Sequence, residues 1–261
     1  TRNQFVWVPV VNPSEMYGTD KDGKKWGKLY NFSANGITAK NWTEQDSVIS
    51  ITATSGGSSF REPDIIDADS SNSVTISQLE TEFNNMIESV KKYGGFYIGR
   101  YETGNLSQEK ASIIKNNSDI GNQTWYTMYN KAKGIAVNSN VTSSMIWGSQ
   151  WDATLRWMYN SGNAEKKKYT YDSTDKGSYS GTSGNKIIAT GANDAYSVNN
   201  IYDMAGNVND WTVEVGSTVC RVIRGGYYRN NGTNSPASKR DDGYSPTNNF
   251  DFIGLRTTLY M

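Results

Sequence analysis

The sequence predicts an α+β domain, with helices packed on a twisted antiparallel sheet and joined by long loops. Segments with a helical apolar repeat occupy the middle of the chain, and short β-branched and aromatic segments separated by turn residues follow them. The strand–helix–strand alternation of a parallel sheet is missing. Eight Trp and 17 Tyr among 261 residues supply an aromatic core of the kind a disordered chain lacks.

Residues 1 to about 75 read as an irregular segment that packs on the core. FVWVPVV suits a strand, DKDG, SANG and SGGSS mark turns, and VISITAT is a short alternating run. The first strong helix is predicted over 77–93. Ser77 and Glu80 stand at capping-box spacing, Leu79, Phe83, Met86, Ile87 and Val90 share one face, and Gly94 is placed to stop the helix. GGFYIGRYETG, at 94–104, reads as a strand. A second helix is expected from Thr124 to Lys133 before Gly134. A third runs from Ser149 as its cap through Trp151, Leu155 and Met158 to Gly162.

Residues 163–199 read as one long loop, with the lysines of KKKY (166–169) as a solvated face. The stretches NIYDMAGNVNDWTVE, VCRVIRGGYY and FDFIGLRTTLY then read as strands of an antiparallel sheet. Asp20, Asp22 and Gly23 resemble the start of a calcium loop, but Asn31 stands where such a loop needs Glu, so a plain turn is expected.

Charge and composition narrow the chemistry. Lys plus Arg and Asp plus Glu both number 26, which removes the basic footprint that nucleic acid requires. No window approaches the roughly 18 consecutive apolar residues of a membrane span, so no membrane insertion is expected. The start lacks Met and any signal-peptide pattern, and the chain reads as a mature or trimmed C-terminal piece of something longer. With no His and one Cys, Cys220, there is no intramolecular disulfide, no imidazole or thiolate metal cluster and no His-based triad.

Five stretches in fixed order, GGFYIGRYE, SSMIWGSQWDATLRWM, YDMAGNVNDWT, RVIRGGYY and IGLR, carry a resemblance over roughly residues 94–261. Together they resemble the formylglycine-generating-enzyme branch of the C-type lectin fold. The resemblance implies a lectin-type α+β domain over 76–261. Arg224 and Arg256 either pair with buried acceptors or reach a ligand, and the former is preferred.

In the oxygen-dependent enzymes of that branch, two cysteines after the glycine pair bind copper. The corresponding positions here are Asn230 and Ser235, and Cys220 lies on the wrong side of Gly225 and Gly226. Related sulfoxide synthases hold iron with three histidines, and this chain has none. No copper, iron or nucleotide is expected, and neither is catalysis. A structural calcium ion is implied by the branch, held by the side chains of Asp203 and Asp210 and the backbone oxygens of Gly206 and Val208. Glu62, Pro63 and Asp64 superficially match the sugar-binding triplet of C-type lectins but stand far out of register.

The segment YYRNNGTNSPASKRDDGYSPTNNFDF (227–252) has the Tyr, Asn, Asp, Ser and Gly composition of a binding loop. It resembles the variable proteins of diversity-generating retroelements, which randomise a C-terminal segment between fixed framework residues. The ligand face expected from this comprises Tyr227, Tyr228, Arg229, Asn230, Asn231, Thr233 and Asn234. It continues through Lys239, Asp241, Asp242, Tyr244, Asn248, Asn249, Phe250, Asp251 and Phe252, with Asn209 exposed at its edge. Tyr228, Arg229, Tyr244 and Phe250 are the preferred anchors, whereas Ser235, Pro236 and Ala237 read as buried framework. The resemblance implies a phage tail tip or a bacterial surface adhesin, with a host cell-surface receptor, protein or glycan, as partner. It leaves open a homo-oligomer or a larger chain.

Overall fold

FVWVPVV forms the first strand, β1 (Phe5–Pro9), in a computed structural model that describes residues 2–19, 25–41, 61–136 and 138–261. Two hairpins follow, β2 (Gly18–Thr19) with β3 (Lys25–Trp26), and β4 (Lys28–Ser33) with β5 (Gly36–Asn41). The SANG turn closes the second. VISITAT, SGGSS and the Asp20–Gly23 turn lie outside the described residues.

Helix α1 spans Ile76–Tyr93 and buries all five expected apolar residues, Leu79, Phe83, Met86, Ile87 and Val90. Its cap is Thr75, whose hydroxyl accepts from the Gln78 N–H at 3.2 Å, and not Ser77. Both hydroxyls precede the apolar stripe, and the backbone turns helical after the earlier one. Gly94 ends the helix at φ 78°. The chain continues through β6 (Gly95–Gly99), α2 (Trp125–Lys133, capped by Thr124), β7 (Thr142–Met145) and α3 (Gly148–Asn160). Ser149 lies inside α3. The cap position belongs to Trp147, whose backbone N–H donates to Gln150 Oε1 at 3.2 Å.

The expectation of a single loop over 163–199 is corrected by four short elements. They are α4 (Ala164–Tyr171), α5 (Ser180–Ser183), a 3-10 turn (Asp194–Tyr196) and the strand β8 (Ser197–Val198). Helix α4 escapes a periodicity search because its buried side chains are Tyr169 and Thr170 among lysines. Two of those lysines have partners: Lys168 Nζ reaches Asp172 at 2.9 Å and Asp175 at 3.2 Å, and Lys167 lies over the Tyr159 ring of α3.

The remaining strands are β9 (Ile201–Tyr202), β10 (Asn209–Ser217), β11 (Cys220–Arg224), β12 (Arg240–Tyr244), β13 (Ile253–Leu255) and β14 (Thr257–Tyr260). Two four-stranded sheets result, in the orders β1–β6–β14–β7 and β12–β11–β10–β13. Pairing is antiparallel except between β10 and β13, which run parallel with Asn209 opposite Ile253. β1 pairs along its whole length with β6, so residues 5–9 belong to the central sheet and are not laid over it. Arg256 is the single residue between β13 and β14, where the chain leaves one sheet for the other.

Four tryptophans, Trp125, Trp147, Trp151 and Trp211, are fully buried between the sheets and helices. Trp125 stacks on Tyr129 at 4.8 Å and donates to the Thr212 carbonyl, and Trp151 donates to the Ala237 carbonyl. These bonds satisfy indole N–H groups that would otherwise be costly to bury.

Candidate functional site

The segment 227–252 leaves the end of β11, returns through β12 and closes at β13. The turn after β11 allows no side chain at Gly226, where a Cβ would stand 2.7 Å from the Ser235 Cβ at φ 72°. Asn230 Oδ1 accepts from the Tyr227 N–H at 3.0 Å, and Asn231 Oδ1 from the Asn234 N–H at 2.8 Å. These side-chain-to-backbone bonds hold the loop in shape. From beneath, Tyr179 donates to the Ser235 carbonyl at 2.5 Å, and the Ser173 N–H donates to the Gly232 carbonyl at 2.9 Å. Residues 173–179, unassigned by the sequence, are therefore the support of this loop. The loop before β13 is held in the same way. The N–H groups of Trp125, Asn122 and Asn209 donate to the carbonyls of Pro246, Phe250 and Phe252.

On this support four half-buried rings meet. Tyr227 lies 4.8 Å from Phe252, Tyr244 lies 5.0 Å from Phe250, and Phe250 lies 5.2 Å from Phe252. Arg229, Asn231, Thr233, Asn234, Asn248, Asn249 and Asp251 are exposed around them. Burial pushes the Tyr244 hydroxyl up, with Asp241 adding to the effect, so this ring is a neutral donor at physiological pH.

Three expected members of the face are corrected. Tyr228 is 4 % exposed, Lys239 5 % and Asn209 5 %. Tyr228 follows the half-buried Tyr227 and packs edge-on to it at 5.4 Å, pointing inward as its neighbour points out. Lys239 ends a small-residue framework whose Ser235, Pro236 and Ala237 are buried as expected. Its ammonium lies 3.8 Å from Asp241, and burial lowers its pKa. Asn209 opens β10 between β11 and β13, so a polar residue there does not mark a surface position. Asn230 is half-buried with its side chain committed to the turn, and Asp241 is half-buried beside Lys239. The side chain of Asp242 lies outside the described residues.

The turn before β10 has a different character. Asp203 and Asn207 both adopt left-handed backbone, at φ 56° and 60°. Asn207 bridges the turn, donating to Glu102 at 2.6 Å and accepting from the Ile188 N–H at 3.0 Å. Asp203 accepts from the Thr190 hydroxyl and the Gly191 N–H, and Asp210 pairs with Arg256 at 3.2 Å. Glu102, Asp203 and Asp210 are all buried against one guanidinium, and burial raises all three, Asp210 to about 6. Oδ1 of Asp203 and Oδ1 of Asp210 are buried without a hydrogen bond. Hard, orphaned carboxylate oxygens are the donor type calcium takes. Among the described residues, however, no three His, Cys, Asp or Glu side chains converge as a metal set. The remaining ligands would have to come from the backbone.

A second buried cluster lies behind β12. Asp152 bridges Arg224 at 2.5 Å and Arg240 at 3.0 Å, Glu214 lies 3.3 Å from Arg240, and Tyr17 accepts from Arg240 at 2.7 Å. Glu62 accepts from the N–H groups of Gly148 and Ser149 and from the Ser149 hydroxyl. The Glu62–Pro63–Asp64 triplet thus places its glutamate in the interior. Arg224 and Arg256 both serve buried acceptors, as preferred from sequence. Glu102, Asp152 and Glu214 were missed. A charged residue inside an apolar run, as in WDATL and WTVEV, is the signal that points to Asp152 and Glu214.

Asn230 and Ser235, the positions that correspond to the copper cysteines, do converge on Gly226, with oxygen and no sulfur. Cys220 stands at the opposite end of β11.

No family model and no curated protein matches the chain. Solved structures similar to it include PvdO from Pseudomonas aeruginosa, at 16 % identity over 64 % of this chain and 81 % of that one, with a TM-score of 0.45. The Major Tropism Determinant U1 variant shows 13 % identity over 100 % of this chain and 73 % of that one, with a TM-score of 0.43. Variable protein 1 of Treponema denticola shows 19 % identity over 62 % and 55 %, with a TM-score of 0.27. The α+β arrangement itself, helices on predominantly antiparallel sheets, is the one predicted from the sequence.

Proposed function

We propose that this chain is a non-catalytic receptor-binding module of C-type lectin type, whose ligand face is the Tyr227–Tyr244–Phe250–Phe252 cluster and its polar rim. The observation that carries this reading is the pairing of half-buried rings with exposed Arg, Asn, Thr and Asp on loops held by a buried framework. Hot spots have this composition, with a few aromatic and Arg side chains carrying the energy and polar neighbours excluding water. Such a module belongs at a phage tail tip or on a bacterial surface, facing a host receptor, and the exposed rim is where retroelement diversification would act at least structural cost.

The test replaces Tyr227, Arg229, Tyr244 and Phe250 together by Ala and measures binding to host cells alongside thermal melting. Each central anchor contributes on the order of 1–3 kcal/mol, so affinity falls at least a hundredfold while a cooperative transition persists. Retained binding rejects the face. Tyr228→Ala, by contrast, lowers the melting temperature because that ring is core.

We also propose that calcium bound by Asp203 and Asp210, with the backbone oxygens of Gly206 and Val208, stabilises the turn before β10. The ion would satisfy the two orphaned carboxylate oxygens. Chelation then lowers the melting temperature and added calcium restores it. An unchanged transition means that Asn207 and Arg256 suffice.

A further inference from the structure

The turn that follows α4 reaches the candidate face through one carboxylate. Asp172 stands at the end of α4, and both of its oxygens are engaged. Oδ2 pairs with Lys168 at 2.9 Å, one helical turn back. Oδ1 accepts from the Thr174 N–H at 3.1 Å, from the Thr174 hydroxyl at 2.7 Å and from the Thr233 hydroxyl at 3.4 Å. The two threonine oxygens lie 3.1 Å apart. Because Thr174 gives its proton to Asp172, Thr233 is the donor in that contact, and its single proton is shared between Thr174 and Asp172. Burial pulls the Asp172 carboxyl upward, but the Lys168 and Thr174 bonds outweigh it and hold it down at about 2, so it accepts as an anion at physiological pH.

The two backbones are equally close. The Ser173 N–H donates to the Gly232 carbonyl, and the Ala237 N–H donates to Ser173 Oγ at 2.9 Å. A Cβ on Gly232 would stand 2.3 Å from the Thr174 nitrogen, so no side chain fits between the segments. We propose that Asp172 and Thr174 form a latch that fixes the 229–234 loop through Thr233. Thr233 is then a positioning residue, and ligand contact in this loop falls to its exposed neighbours Arg229, Asn231 and Asn234. This rests on the ligand face proposed above and reassigns one member of its rim. Thr233 is exposed, yet its hydroxyl is turned to the latch. Arg229 is held as well, its guanidinium 5.2 Å from the centre of the buried Tyr228 ring. A loop locked before contact loses less conformational entropy on binding, which raises affinity without adding a contact. The same geometry sorts the loop by tolerance: positions 229 and 234 can change side chain without touching the latch, whereas 232 and 233 cannot.

The test is backbone amide hydrogen exchange on the whole chain without any partner. Thr233→Val keeps the shape and removes the hydroxyl, Thr233→Ser keeps the hydroxyl, and Asp172→Ala removes the acceptor. The reporters are the N–H groups of Ser173, Asn234 and Ser235, which bond to the Gly232 carbonyl, the Asn231 side chain and the Asn231 carbonyl. Loss of one net hydrogen bond corresponds to roughly two- to tenfold in local opening. Exchange at these amides should rise by that factor in Thr233→Val and Asp172→Ala, with α1 unchanged and Thr233→Ser at the wild-type rate. Wild-type rates in Thr233→Val, equal acceleration in Thr233→Ser, or acceleration that extends to α1 overturns the latch. Should Asp172→Ala fail to fold, the two Thr233 variants, which alter one exposed residue, decide alone. Binding to host cells should fall in Thr233→Val and persist in Thr233→Ser; loss in both makes Thr233 a ligand contact and overturns its assignment. A wild type that binds no host cell rejects the face, and the exchange pattern still decides the latch.

Discussion

Arg256→Ala is expected to abolish cooperative folding. The guanidinium is fully buried at the one residue that joins the two sheets, and it donates to Asp210 at 3.2 Å, the Gly99 carbonyl at 3.0 Å and the Tyr202 carbonyl at 2.9 Å. Its removal strands a carboxylate beside Glu102 and Asp203 and leaves two backbone acceptors bare. Breaking a buried pair costs about 3–5 kcal/mol, and each unsatisfied acceptor adds about 1–3. A domain of ordinary stability has about 5–15 kcal/mol in total. Circular dichroism melting should show no native transition for the variant. Arg256→Lys keeps one charge but cannot reach three acceptors on different strands, so it should melt well below wild type. A wild-type melting curve for Arg256→Ala would show that the corner is held by something else.

Asp152→Ala is expected to have the next largest effect. Its two oxygens hold Arg224 and Arg240 apart and in register, one from β11 and one from β12. Without it, two buried guanidiniums are left with Glu214 and Tyr17, and the loss should again be about 3–5 kcal/mol. Asp152→Asn separates shape from charge. It preserves volume and one acceptor oxygen, so a loss close to that of the Ala variant would assign the effect to charge. The consequence reaches the candidate face, because β12 runs directly from Arg240 to Tyr244. Binding should weaken in Asp152→Asn even where the chain remains folded. Denaturant unfolding and host-cell binding measured on the same preparation check both statements, and unaltered stability in Asp152→Ala would refute them.

Much of the scaffold was legible because its signals are local. The stripe from Leu79 to Val90 and the stop at Gly94 define α1 without reference to anything distant. The failures have local causes too. Two hydroxyls compete to cap α1, and α4 buries side chains at only two of its eight positions. For the proposed face, composition singled out a segment but not the orientation of each residue within it. Tyr227 and Tyr228 are identical neighbours, yet one ring is half-buried in the face and the other is core.

The sequence by itself determined the fold class, the order of its motifs and the lack of histidine, and it singled out the stretch of chain that carries the proposed face. Those properties depend on residue type and short-range spacing. Only the tertiary structure decided which members of that stretch are accessible, that residues 173–179 support it, and that Asp152 and Glu214 meet two arginines from separate strands. Such buried contacts join residues far apart in the chain, as Arg240 and Tyr17, 223 positions distant, do. Their energies depend on desolvation, which is a property of the assembled interior and not of any segment alone.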